Sequence, residues 1–238
     1  FGVAINPAGT FAYVVNNFSG TVSKIDLASD TVVATITVGR SPKSVAINPA
    51  GTFAYVTNLS RGTVSKIDLA SDTVVATISV GSVPWGVAIN PAGTFAYFTN
   101  NESNTVSKIN LATDTFVATI TGVRGATAVA INPAGTFAYV TNYESNSVSK
   151  IDLASDTVVA TITVGWEPFG VAINPAGTFA YVTNFASNTV SKIDLASDTV
   201  VATIAAGTNP YGVAINSAGT FAYVANNSST TVSKINLA

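Results

Sequence analysis

The sequence contains no cysteine, no histidine and no methionine. Without cysteine and histidine the usual zinc, copper and haem ligand sets cannot be assembled. Ser–His and Cys–His nucleophile pairs are equally out of reach. No metal and no cofactor are therefore expected, and the chain is not expected to be an enzyme. Charge is scarce as well: Asp, Glu, Lys and Arg make up 9% of the 238 residues, far below the roughly one quarter typical of soluble domains. With 47% hydrophobic residues this composition excludes disorder and calls for a packed core. The formal net charge is −2 with no basic run, so nucleic acid is not an expected partner. Long apolar runs are missing too. Thr, Ser, Asn and Gly interrupt every segment before about 18 apolar residues accumulate, so neither a membrane-spanning helix nor membrane insertion is expected.

What is present is a repeat. The string Ala-Ile-Asn-Pro-Ala-Gly-Thr-Phe-Ala-Tyr-Val starts at Ala4 and returns at positions 46, 88, 130, 172 and 214, a step of 42 residues. Only Phe98 and Ser217 break it. Each copy holds four short β-branched or aromatic segments bounded by turn residues, and no helical periodicity. In the second copy the expected strands are 45–47, 52–57, 63–69 and 73–80, with Asn48-Pro49-Ala50-Gly51 as a tight turn. Four antiparallel strands every forty or so residues are the pattern of a propeller blade. The expected fold is therefore all-β, a single β-propeller domain over residues 1–238. It holds six copies of strands one to three and five of the fourth, so the last blade lacks its outer strand in this sequence. The strand over 231–237 then becomes an unpaired edge, to be covered either by residues outside this sequence, as in a longer propeller, or by another molecule, and pairing between copies of the chain would make it self-associate.

The quoted residues resemble the YVTN-type β-propeller repeat of microbial surface-layer and secreted proteins. The resemblance rests on Tyr-Val-Thr-Asn at 55–58, 139–142 and 181–184, on Val-Ser-Lys-Ile-Asp at 64–68, and on Thr-Val-Val-Ala-Thr-Ile followed by Val-Gly. It covers the whole chain and implies the propeller fold and an extracellular or cell-surface location. It carries over no functional residue.

Meandering strands send their connections alternately to two ends of a blade. At one end the turns Asn-Pro-Ala-Gly and Ala-Ser-Asp hardly change between copies. At the other, the loop after strand two and the linker to the next blade change at nearly every copy, and the rare residue types collect there. Both tryptophans, all three glutamates, all three arginines and Lys43 fall in these segments. The candidate ligand-binding residues are Phe18, Leu59, Arg61, Glu102, Tyr143, Glu144 and Phe185 in the loops. In the linkers they are Phe1, Arg40, Lys43, Trp85, Arg124, Trp166, Glu167, Phe169 and Tyr211. Phe1, Lys43, Trp85, Thr127, Phe169 and Tyr211 are expected to ring the mouth of a central channel. Aromatic side chains and arginine supply much of the energy of recognition, and loops on a rigid scaffold commonly carry it. Lys24 and its five equivalents are expected to pair with an aspartate of their own or a neighbouring blade.

These patterns favour a non-catalytic recognition module binding a protein or glycan ligand through one variable face. The alternatives are a structural surface propeller that associates through its edge strand, and an enzyme of the propeller lactonase or lyase kind.

Overall fold

The computed structural model describes residues 2–237; Phe1 lies outside them. The fold is all-β, a propeller of six blades. Blades one to five are four-stranded antiparallel sheets in sequential order, and blade six is three-stranded. Blade two is representative, with strands Pro42–Ile47, Phe53–Asn58, Thr63–Asp68 and Thr73–Ser79. Blade six consists of Pro210–Ile215, Phe221–Asn226 and Val232–Asn236. The chain forms two compact units, one ending at Ile120 and the other beginning at Thr121, so each holds three blades.

Within a unit, neighbouring blades pack face to face through period-two alternation along strands two and three. Blades one and two bury Tyr13, Val15 and Val22 against Ala54, Val56 and Ile67. Blades four and five repeat this with Tyr139 and Val148 against Ala180, Val182 and Ile193. The lysine in the middle of strand three lies at the edge of this layer. Lys66 Nζ sits 4.2 Å from the centre of the Phe53 ring and 2.8 Å from Asp114 of the next blade. Lys24 reaches Asp72 and Lys150 reaches Asp198 in the same way. The partner is thus the aspartate in the turn of the following blade. The aspartate two residues beyond the lysine plays a different part. Asp26 accepts hydrogen bonds from the backbone N–H of Ala28 and Ser29 and closes its own turn.

The first strand is longer than its β-branched core suggests, beginning at Pro42 rather than Val45. Its register against strand two jumps from Pro42↔Asn58 to Val45↔Val56, leaving Lys43 and Ser44 opposite Thr57 alone. Such a bulge bends the strand and re-aims a side chain. The same jump recurs in the other linker-fed blades, as at Pro168↔Asn184 and Val171↔Val182.

Candidate ligand-binding surface

The linkers reach the bulge through an unusual backbone. Ser41, Val83, Gly125, Glu167 and Asn209 all have positive φ, between 53° and 59°. Four of them precede a proline, which ordinarily favours an extended conformation. Val83 is β-branched, so its left-handed conformation (φ 53°) is strained. The Tyr-Val-Thr-Asn threonine holds the segment in place. Thr57 Oγ1 accepts a hydrogen bond from Ser44 N–H at 3.0 Å and donates to the Trp85 carbonyl of the next blade at 3.0 Å. Thr141 likewise donates to the Phe169 carbonyl at 2.8 Å, and Thr183 to the Tyr211 carbonyl at 2.7 Å. Each threonine therefore ties one linker to the next. Residue type alone pointed to neither the bulge nor these threonines. The signal available was a proline placed directly before each of four variable positions.

In the unit ending at Ile120, Lys43 is buried, with its Nζ 4.4 Å from the centre of the Trp85 ring. Burial pushes its ammonium pKa down to about 8, while the indole face opposes that shift by attracting the cation. Trp85 is half-buried. Phe18 is fully exposed and lines an open groove with Arg40, Asn17, Ser41 and Ser60. Leu59, Arg61 and Glu102 line a second groove. Leu59 and Arg61 sit on a single 3-10 turn closed by Gly62 in the left-handed region.

The unit beginning at Thr121 gathers a different set. Phe169 stacks on Tyr211 with ring centres 4.6 Å apart, and its edges meet Tyr143 and Phe185, each at 5.2 Å. Such pairs contribute roughly 0.5–1.5 kcal/mol each beyond area burial. These four rings are half-buried on one another, so they build the floor of the surface. Trp166 stands apart and keeps 68% of its surface exposed. It lines an open cleft of about 380 Å³ with Tyr143, Glu144, Asn146, Glu167 and Ala186. Burial first, and then the neighbouring Glu167 carboxylate, raises the Tyr143 hydroxyl above its ordinary pKa. The cleft thus combines a bare indole face, two carboxylates and an amide. Arg124 is exposed and belongs to neither the aromatic floor nor the cleft. Among the described residues no three Asp, Glu, His or Cys side chains are grouped so as to hold a metal ion.

A family model described as lactonase, 7-bladed beta-propeller, matches residues 90–200, just under half of the chain. No curated protein matches the sequence. Among solved structures, Kuenenia stuttgartiensis Hydrazine Synthase is similar with a TM-score of 0.72 and 21% identity. That match covers 100% of this chain and 95% of that one. A functionally unknown protein from Desulfotomaculum acetoxidans DSM 771 gives a TM-score of 0.87 at 21% identity, over 95% of this chain and 75% of that one. The chain therefore shares its fold with both structures, and over its middle stretch its sequence is similar to the lactonase-type propellers.

Proposed function

We propose that the protein is a non-catalytic recognition module and that the cleft around Trp166 is its principal binding site. The carrying observation is the exposed indole of Trp166 flanked by Glu144 and Glu167 in one open cleft. Water-exposed tryptophan is costly to leave bare, and its flat apolar face suits a partner with an apolar ring face of its own. Carboxylates beside it accept hydrogen bonds from hydroxyl groups. That pairing fits a glycan better than a protein, which is the other partner class the variable face could serve. The YVTN-type resemblance supports a position outside the cell or on its surface, where such ligands occur.

The test uses Trp85→Phe, which leaves Trp166 as the sole indole. Glycan-array ligands should shift or quench its emission saturably, and Trp166→Ala should weaken capture at least tenfold with the fold intact. Ligands that bind equally well to Trp166→Ala would reject the cleft.

The family-model match favours a second reading, lactone hydrolysis. Glu144 and Glu167 share the cleft and are the carboxylates available for general acid–base work. Turnover of a simple lactone abolished by Glu167→Gln would establish it. The same rate in the variant would return the cleft to binding alone.

A further inference from the structure

Every blade boundary inside a unit buries the same repeat positions. Between blades five and six, Tyr181 and Val190 meet Ala222, Val224 and Ile235. Two faces of the molecule present these positions uncovered. On blade six, the face turned away from blade five leaves Tyr223 42% and Val232 64% exposed, whereas Tyr181 is 1% and Val190 0% exposed. On blade one, the face turned away from blade two leaves Val3 63% and Ile5 58% exposed, whereas Val45, the counterpart of Val3, is buried. Charges follow the same pattern. Lys192 and Lys234 occupy the repeat position of Lys24, and Asp30 that of Asp72. Among the described residues none of the three makes an ion pair.

We propose that each of these faces is an acceptor for a further copy of the 42-residue repeat, docked as the blades dock on one another. On blade six, a strand of the pattern Ser-Asp-Thr-Val-Val-Ala-Thr-Ile adds to the edge Val232–Asn236 and brings its aspartate to Lys192. The sheet that follows covers Tyr223 and Val232 and brings its own turn aspartate to Lys234. On blade one, an incoming blade brings its strand-three lysine to Asp30. This single kind of occupant meets all three charges and both apolar faces. An added strand alone reaches Lys192 and leaves Tyr223 bare, and a generic apolar partner answers none of the charges.

The probe is a polypeptide copying residues 70–121, titrated calorimetrically into the full chain. Saturable binding is expected. In a chain carrying Asp30→Lys, which opposes docking on blade one, Lys192→Glu with Lys234→Glu should weaken it at least tenfold, and converting the probe's two turn aspartates to lysine should restore it. No heat at about 100 μM, indifference to the charge reversals, or equal binding of a peptide copying residues 70–80 alone would each overturn the proposal. So would an unmixed chain whose sedimenting mass rises with concentration regardless of the probe, since the faces would then belong to a second copy. Because one repeat cannot bury its apolar faces by itself, the sequence of residues 71–121 is also fused directly after Ala238, which stands at the repeat position of Ala70. The fusion should raise the unfolding midpoint and shield Tyr223 from nitration; an unchanged midpoint with Tyr223 still reactive contradicts the proposal.

Discussion

The two ends of each sheet are closed by different means, and the difference explains where the sequence is free to change. At the turn end, side chains do the closing. Asn48 Oδ1 accepts from the backbone N–H of Thr52 and Phe53, and its Nδ2 donates to the Thr52 hydroxyl. Asp68 closes the second turn through Ala70 and Ser71. Only a side chain with an oxygen in the same place can keep these bonds, as Asn110 does in blade three for Ala112 and Thr113, so these turns hardly change. At the linker end some side chains also close the chain, the strand-two threonines and loop residues such as Asn146 and Ser187 among them, but a bond from backbone to backbone joins loop to linker. Leu59 N–H donates to the Ser41 carbonyl, Tyr143 to Gly125 and Phe185 to Glu167, each at about 3 Å. A main-chain bond does not depend on the side chain above it. Residues such as Phe18, Arg61, Trp166 and Glu144 can therefore vary without loss of the fold, and a binding surface can be built from them.

If that division is sound, stability and binding should respond to different substitutions. The largest effect on stability belongs to the blade boundary. Tyr139→Ala empties a fully buried site and should cost about 3–5 kcal/mol in chemical denaturation. Thr141→Val comes next, because it leaves the Ala128 N–H and the Phe169 carbonyl without their shared hydroxyl partner. A loss of about 1–3 kcal/mol is expected, together with a shifted aromatic floor visible in near-ultraviolet circular dichroism. Val83→Asn relieves a β-branched residue of its left-handed backbone and should stabilise the chain by up to about 1 kcal/mol. Trp166→Ala should leave stability within about 0.5 kcal/mol while removing binding; a large loss of stability would show that the cleft is part of the framework.

Acid sharpens the same contrast. Asp26, Asp68, Asp152 and Asp194 are held below the ordinary carboxylate pKa, first by the backbone N–H of Ser29, Ser71, Ser155 and Ser197 respectively. A depressed carboxylate stabilises the fold above its unfolded pKa of about 4, and that contribution is lost as pH falls through the folded value. Lys43 acts in the opposite range. Its ammonium pKa lowered to about 8 means the folded chain binds the proton less readily than the unfolded one. Stability should therefore rise with pH from about 8, the folded value, to about 10.5, the ordinary lysine value, and Lys43→Met should flatten that rise.

The blades were legible in the sequence because identical turns and period-two strands recur at a fixed step. Less legible was the path of the linker. Pro42 to Ser44 look like loop residues by composition, yet they form the start of a strand because Thr57 replaces a ladder bond across the bulge. The site was legible as a face and not as an arrangement. Side-chain type marked out Phe169, Tyr211, Tyr143 and Phe185, but their mutual stacking, beside which Trp166 stays exposed, depends on where the bulges aim them. The lysine partners were hidden for a similar reason. Asp72 lies 48 residues from Lys24, on the next blade, so the nearby Asp26 looked equally suitable.

The recognition function is probed most directly by comparing the natural chain with one whose linker-end loops are all reset to a single repeat's sequence. Both are applied to the same glycan array and lysate pull-down, with unfolding midpoints recorded alongside. Equal stability is expected, since the main-chain closures survive the change, together with loss of every ligand the natural chain captures. Capture of the same ligands by both chains, or of none by the natural chain, would contradict a recognition role for the variable face.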